Sequence, residues 1–141
     1  RPGRVLMTGG ARAVTETMRM SASALRQGCI LCIFPEGKRS TTGDLMTPKP
    51  GAGILSCETG APILPVYVEG AYQTLSPVHP GFRFCRIQME TGDLIQPPAN
   101  GPFGDSDYRA LMSEWRNRAA EMRGKFRDTP LPGMSEKGEG A

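Results

Sequence analysis

The stretch that decides the fold is residues 29–40, CILCIFPEGKRS, in which an apolar run leads directly into a charged turn. Its first six residues are continuously apolar, as in strands that are buried on both faces of a parallel sheet. Pro35 ends this predicted strand, and residues 35–50 then form a polar loop with a turn at residues 42–44. Open α/β sheets bind ligands at the carboxyl ends of parallel strands, so we expect the functional site in this loop.

Predicted helices and a second strand surround the loop. Apolar residues at helical spacing predict a helix over residues 13–27, and Gly28 ends it because glycine readily adopts the left-handed conformation. A short helix over residues 51–59 ends in the same way at Gly60, and an apolar strand over residues 62–68 follows at once. The order strand, loop, helix, strand predicts a crossover unit with parallel strands.

The second half of the chain adds an edge strand and the clearest helix. Alternating apolar and polar residues over 83–89 predict a half-exposed strand. Asp105 or Ser106 caps a helix that carries one apolar stripe, made of Tyr108, Leu111, Met112, Trp115, Ala119, Met122 and Phe126. Glu114 and Glu121 dilute its basic face, so we expect it to dock on the core rather than lie in a membrane. The predicted fold is α/β, with a mixed, largely parallel sheet flanked by helices.

The length of 141 residues fits one small domain. We assign residues 1–127 to a single domain and expect residues 128–141 to form a disordered tail. The chain starts at Arg1 without the pattern of a signal peptide, so we interpret this start as internal to a longer polypeptide. No apolar run approaches the roughly 18 residues that a membrane-spanning helix needs.

Positive charge is concentrated in the first part of the chain. Residues 1–50 contain eight Lys and Arg against three acids, a net charge of +5, whereas residues 51–100 carry −2. This asymmetry favours an anionic ligand or a lipid surface as partner. Aromatic residues make up only 6% of the sequence and do not alternate with basic ones, so we expect no nucleic-acid partner.

Four cysteines, Cys29, Cys32, Cys57 and Cys85, could indicate a disulfide pair or a metal site. Cys29 and Cys32 have the spacing of a zinc knuckle, but they lie in a predicted strand, where residues three apart face opposite sides. No second pair or ligand histidine accompanies them. We therefore expect reduced, mostly buried cysteines in a protein that faces the cytosol, and no metal.

The loop begins with five residues that we assign to a candidate anion-binding site: Glu36, Gly37, Lys38, Arg39 and Ser40. Arg39 offers a planar fork to a phosphate, Lys38 a point charge and Ser40 a donor. Gly37 lets backbone amides approach an anion, and Glu36 can hold a hydroxyl or orient Arg39. A solvated surface turn is the alternative that the spacing alone leaves open.

The chain resembles the glycerolipid acyltransferases, typified by lysophosphatidic acid acyltransferase. Residues 34–40, FPEGKRS, look like the third signature block of that family, and residues 60–66, GAPILPV, are similar to its fourth block. Residues 49–52, KPGA, look like the lysine-x-glycine start of the next helix. The resemblance runs from about residue 9 to residue 95, and it implies a glycerol-phosphate-acyltransferase-like fold that is truncated at its N-terminus.

The resemblance also implies roles for individual residues. In that family the third block binds the acyl acceptor, so Arg39 would hold the acceptor phosphate, and Glu36 and Gly37 would shape the glycerol site. Pro62 and Pro65 would form part of a substrate wall in the fourth block. Lys38 stands where the family most often has Thr, which adds charge at the acceptor site.

The implied activity is transfer of a fatty acyl group from an acyl thioester to a lysophosphatidic acid or related glycerolipid hydroxyl. The donor would be acyl-coenzyme A or acyl carrier protein, acting as a co-substrate, and no cofactor is expected. The acceptor would be a lysophospholipid or a glycerol phosphate. We expect the protein at the cytoplasmic face of a membrane, either peripheral or anchored by a segment outside this chain.

The first block of the family, a His, four residues and an Asp, is missing from the sequence. There the His is the general base and the Asp fixes its tautomer. His79 is the only histidine, and the residue five positions further on is Phe84, so we interpret His79 as a loop residue. We therefore expect no catalytic residue in this chain, and an inactive fragment. A non-catalytic phosphate- or lipid-binding module of the same fold is the alternative function.

Overall fold

The computed structural model of the protein describes residues 11–74, 78 and 86–128. In chain order the elements are α1 (Ala11–Arg26), α2 (Gly51–Thr59), β1 (Val66–Glu69), α3 (Ala71–Thr74), β2 (Gln88–Thr91) and α4 (Asp105–Asp128). The predicted tail beyond Asp128 and the loop histidine His79 lie outside the described residues, as does the start of the strand predicted over residues 83–89.

The helices agree with the predictions. α1 and α2 lie close to the predicted ranges of residues 13–27 and 51–59, and glycine follows the end of each of them. Gly28 has a φ of 77° and Gly60 has a φ of 72°, a conformation that side chains with a Cβ rarely adopt. The amide of Gly60 donates to the carbonyl of Ser56 at 2.9 Å, which satisfies one of the free carbonyl groups at the end of α2.

The prediction of a largely parallel sheet is wrong for the described residues. β1 pairs with β2 in antiparallel register, with Val66 opposite Thr91 and Glu69 opposite Gln88. A further antiparallel bridge joins Ile63 to Ile95 through two backbone hydrogen bonds of 2.9 and 2.8 Å. Two strands that pair in this way need no crossover connection, so the helix α2 precedes the sheet without linking parallel strands.

The prediction of a buried strand over residues 29–34 is also wrong. This segment has no helix or strand assignment, and Ile30 is 100% and Phe34 82% exposed. A strand forms only where a neighbour satisfies its backbone N–H and C=O groups, and no described strand lies beside this segment. Continuous hydrophobicity indicates burial against something, but it does not identify the partner.

The two-stranded sheet turns its more polar face toward α4. The ring of Tyr67 lies 5.9 Å from that of Phe126 in α4, and Lys125 binds Glu90 at 2.6 Å. The strand predicted over residues 83–89 overlaps β2 only at residues 88 and 89, because β2 runs from Gln88 to Thr91 and residues 86 and 87 are not in a strand. Met89 lies on the outer face and is 68% exposed. The outer face of the sheet is consequently apolar, with contributions from Val66, Val68, Ile87 and Met89.

The hydrophobic core lies between α2 and α4. It contains Cys57, Ile95, Leu111, Met112, Trp115 and Ala119, so the apolar stripe predicted for α4 is confirmed as the docking face. The two helices approach closely because α2 has no side chain at Gly53, where a Cβ would clash with the backbone oxygen of Tyr108. This contact fixes the spacing of the helix pair that supports the loop.

The N-terminus of α4 is capped one residue earlier than predicted. The amide of Gly104 donates to the carboxylate of Asp107 at 2.8 Å, and the amide of Asp107 donates to the carbonyl of Gly104 at 3.1 Å. This reciprocal arrangement satisfies backbone donors at the helix start, so Asp105 and Ser106 are not needed as caps.

Three cysteines can be placed, and they are all free. Cys57 is buried in the core, as expected, but Cys29 and Cys32 are exposed because the segment that carries them is not a buried strand. The prediction of mostly buried cysteines is therefore wrong for this pair. Within the described ranges, no helix combines the length and the hydrophobicity needed to cross a bilayer.

Candidate functional site

The loop between residues 35 and 50 is closed at its base by backbone hydrogen bonds. The amide of Lys49 donates to the carbonyl of Pro35 at 2.8 Å, and the amide of Gly37 donates to that of Phe34 at 3.1 Å. Gly37 has a φ of 72°, which its lack of a Cβ allows. The sequence following Phe34 therefore turns sharply, and the charged residues lie at the surface.

Lys49 adds a cation that the sequence prediction did not include in the site. A Cβ on Gly37 would lie 3.0 Å from the Nζ of Lys49, so the ammonium group rests where a side chain would otherwise stand. Lys38 and Arg39 are exposed beside it, and none of the three forms an ion pair with a described residue. The site thus presents three cations and little compensating charge.

Glu36 is the half-buried member of the predicted set. Burial raises the pKa of its carboxyl above the ordinary value, while a hydrogen bond from the backbone N–H of Met46 and the charge of Arg116 in α4 act in the opposite direction. Glu36 therefore lies close enough to α4 to interact with the charge of Arg116. Its role in orienting neighbours or holding a hydroxyl stays a prediction.

Ser40 shapes the turn that follows. Its Oγ accepts hydrogen bonds from the amide of Gly43 at 2.9 Å and from the amide of Thr42 at 3.3 Å. The prediction of a turn at residues 42–44 is confirmed, and Gly43 has a φ of 79°. Side-chain hydrogen bonds of this kind replace a regular backbone turn, so Ser40 has a structural role that the sequence prediction did not assign.

Two other elements hold the far side of the loop. Arg123 of α4 binds Asp44, and the hydroxyl of Tyr72 in α3 donates to the carbonyl of Thr41 at 2.9 Å. Leu45 packs against the hydrophobic core. Sequence analysis missed Arg123 and Tyr72, because both are distant in the chain and neither belongs to a local motif.

The two proline residues predicted to form a substrate wall have different environments. Pro65 is fully buried, and its carbonyl accepts from the amide of Gly92 at 2.9 Å. Pro62 is exposed. In the described part of the chain, no hydrogen bond connects either proline to residues 36–40, and their role as a substrate wall stays a prediction.

The site suits an anion better than a metal ion. Its exposed groups are ammonium and guanidinium cations, which repel metal ions and attract phosphate. Among the residues that the structure describes, no group of three or more His, Cys, Asp or Glu side chains could hold a metal. The arrangement can therefore bind a phosphate or carboxylate through Lys38, Arg39 and Lys49.

Comparisons with known proteins show a similarity to acyltransferases. Residues 5–69 match the family model described as Acyltransferase. A chloroplastic 1-acyl-sn-glycerol-3-phosphate acyltransferase of Brassica napus is 27% identical over 113 residues, which cover 78% of this chain and 30% of that protein. A protein of Mycoplasma pneumoniae named "Probable 1-acyl-sn-glycerol-3-phosphate acyltransferase" is 23% identical over 103 residues, covering 73% of this chain and 38% of that protein.

A solved structure shares the fold. The 1-acyl-sn-glycerophosphate (LPA) acyltransferase PlsC from Thermotoga maritima superposes with a TM-score of 0.65 at 22% identity, over 82% of this chain and 44% of that one. The chain is thus similar to lysophosphatidic acid acyltransferases in sequence and in fold, which confirms the resemblance seen in its motifs. It spans about a third of the length of the curated relatives it matches.

Proposed function

We propose that the complete protein transfers a fatty acyl group from an acyl thioester to the free hydroxyl of lysophosphatidic acid or a related glycerolipid. The observation that carries this proposal is the cluster of Lys38, Arg39 and Lys49, three cations without a described ion-pair partner around a side-chain-free Gly37. Such a cluster can bind the phosphate of the acceptor. The match of residues 5–69 to the Acyltransferase family model supports the reaction class.

In this proposal the loop residues bind the acceptor. Arg39 holds the phosphate with its planar fork, Lys38 and Lys49 add charge, and Glu36 and Gly37 shape the glycerol site. Ser40 both orders the turn and borders the site. Pro62 and Pro65 of the fourth block form part of the wall that receives substrate, a role that rests on the family resemblance.

The reaction exchanges one acyl bond for another. The acceptor oxygen forms an ester bond to the acyl carbon, the carbon–sulfur bond of the thioester breaks, and the hydroxyl proton passes through a general base to the departing thiol. That base would be the His of a His-x4-Asp pair, which this sequence does not contain. The donor is acyl-coenzyme A or acyl carrier protein, no cofactor takes part, and the reaction takes place at the cytoplasmic face of a membrane.

The test replaces Arg39 in the complete protein. Arg39→Ala should raise the KM for lysophosphatidic acid about ten- to a hundredfold, because one charge-assisted contact contributes roughly 1.5–3 kcal/mol. The KM for the acyl thioester should stay within about twofold. Arg109→Ala is the matched control, since Arg109 is an exposed arginine of α4 that pairs with Asp105 and does not contact the loop.

Equal losses toward both substrates would contradict the role of Arg39 as the acceptor contact. A second candidate function follows from the missing His-x4-Asp pair: a phosphate- or lipid-binding module that uses the same cations without chemistry. Binding of lysophosphatidic acid to the complete protein without any acyl transfer would favour that module over the enzyme.

A further inference from the structure

Hydrogen bonds connect residues 41–44 to Ser40, which directly follows the cations Lys38 and Arg39. Through its Oγ, Ser40 binds the amides of Thr42 and Gly43, so the turn and the residue after Arg39 move as one unit. Any group that fixes Gly43 or Asp44 also restricts Ser40 and the neighbouring Arg39. The loop can therefore be positioned from its far side.

Arg123 of α4 makes that connection. Its Nη2 lies 2.5 Å from a carboxylate oxygen of Asp44 and 3.3 Å from the backbone oxygen of Gly43. The side chain of Arg123 is only 16% exposed, although that of Asp44 is 62% exposed. The hydrogen bond to Asp44 raises the pKa of Arg123, so the guanidinium stays charged. A mostly buried arginine with two acceptors holds its partner more firmly than an exposed ion pair does.

Tyr72 holds the same turn from the other side. Its hydroxyl donates to the carbonyl of Thr41 at 2.9 Å, and a Cβ on Gly43 would lie 3.0 Å from its ring. The turn is thus enclosed between a ring from α3 and a guanidinium from α4. The contact with α4 positions the turn relative to the core, because Trp115 and its neighbours anchor α4 in the core.

A cleft of about 410 Å³ separates this turn from β1. Its charged side chains are engaged within the protein: Glu69 accepts from Tyr67 at 2.7 Å and from Gln73 at 3.5 Å, and Arg123 binds Asp44. The donors to Glu69 are neutral, whereas Arg123 and Asp44 form an ion pair. The cleft therefore lies at the junction between the loop, β1 and α4, where Arg123 holds the loop.

We propose that Arg123 is a positioning residue, which sets the location of Arg39 and Lys38 through Asp44 and Gly43. The proposal rests on the proposed function, since the loop it positions is the acceptor-binding loop. A displacement of about 1 Å in a binding group is enough to change catalysis by up to a hundredfold. Arg123 would thus affect acceptor use without touching the acceptor.

The test uses the complete protein with Arg123→Ala and Arg123→Lys. We expect Arg123→Ala to raise the KM for lysophosphatidic acid about tenfold, with the thioester KM unchanged, and Arg123→Lys to restore part of the loss. Amide hydrogen exchange of residues 37–44 should be about tenfold faster in Arg123→Ala. Asp44→Ala combined with Arg123→Ala should be no worse than Arg123→Ala alone, because the two residues act as a pair.

Arg118→Ala is the matched control. Arg118 also lies on α4, is partly buried, and donates to the Asp93 carbonyl at 2.9 Å while pairing with Glu114, so it ties α4 to a different segment. Its removal should leave exchange in residues 37–44 and the acceptor KM unchanged. Equal effects of Arg118→Ala and Arg123→Ala on the acceptor KM would overturn the proposal.

Unchanged exchange in residues 37–44 of Arg123→Ala would also overturn it, as would faster exchange with an unchanged acceptor KM. The exchange measurement does not depend on acyl transfer. If the complete protein transferred no acyl group, the proposed function would fail, and exchange in Arg123→Ala would still decide whether Arg123 holds the loop.

Discussion

Glu36 is a half-buried carboxyl group in a loop whose other charged residues include three exposed cations. Burial is the largest influence on its pKa and raises it, which means that the folded protein disfavours the ionised form. The charge of Arg116 and a hydrogen bond from the amide of Met46 lower the pKa and partly oppose this effect. A buried charged group that lowers the stability of the fold and lies in a candidate binding site is more typical of a functional residue than of a packing residue.

Replacing Glu36 should therefore stabilise the fold at neutral pH. With a raised folded pKa, the stabilising contribution of the protonated carboxyl is complete below the unfolded pKa of about 4.3 and is lost as pH rises through the folded value. Glu36→Gln keeps an acceptor for the Met46 amide and removes the charge. Urea unfolding should give it a higher free energy of unfolding than the parent at pH 7 and little difference near pH 4.

Glu121→Gln serves as the control for that measurement. Glu121 lies exposed on α4 and contributes to no described ion pair, so its replacement should change stability equally little at both pH values. A lower free energy of unfolding for Glu36→Gln at pH 7 would mean that the charge of Glu36 stabilises the loop, contrary to the effect of its burial.

At the scale of elements, the contact between α2 and α4 depends on a missing side chain. In Gly53→Ala, the new methyl group would meet the backbone oxygen of Tyr108, which cannot rotate away. We expect a net loss of about 1–3 kcal/mol in the free energy of unfolding, despite the better helix propensity of alanine. Denaturant unfolding of the variant measures this loss directly.

Gly124→Ala provides the comparison on the partner helix. Gly124 lies inside α4, and a Cβ there would meet no atom within 4 Å, so alanine should stabilise the protein by about 0.5–1 kcal/mol. Opposite signs for the two substitutions would establish that the spacing of α2 and α4, and not glycine flexibility, determines the effect at Gly53.

The helices were predictable because their signals are local. Apolar residues at helical spacing predicted α1, and a left-handed glycine predicted where α1 and α2 end. A one-sided apolar stripe predicted α4. A strand depends on hydrogen bonds to a neighbouring strand, which can lie at any distance along the chain. The run at residues 29–34 has the composition of a buried strand but no described partner, so its prediction failed.

The site was predictable only where it was contiguous. Residues 36–40 are recognisable by their charge density after an apolar run, and they lie within residues 5–69, which match the Acyltransferase family model. Lys49 reaches Gly37 only because the loop closes on itself at Pro35. Arg123 lies 79 residues from Asp44, so no spacing rule could connect them.

At the scale of the whole molecule, the chain covers 44% of the Thermotoga PlsC chain, and its sheet has an apolar outer face. Two strands alone rarely form a stable unit in water, and here α4 supports one side only. The cations that we propose for acceptor binding are present in this chain, whereas a His-x4-Asp pair is not in its sequence.

The 141-residue chain on its own should consequently transfer no acyl group from a thioester to lysophosphatidic acid. The measurement is release of free thiol over a heat-denatured sample, with the complete protein as the positive control. Transfer above that background would show that a base within these residues serves the reaction, and that the placement of the His-x4-Asp pair outside them is wrong.

The contact between Lys49 and Gly37 changes how natural variation at this loop should be interpreted. Gly37 has no charge and no functional group, yet any side chain there would displace the ammonium group that occupies its place. A substitution at Gly37 would thus change the position of the Lys49 charge as well as strain the backbone. We therefore expect glycine at position 37 and lysine at position 49 to co-vary among related proteins.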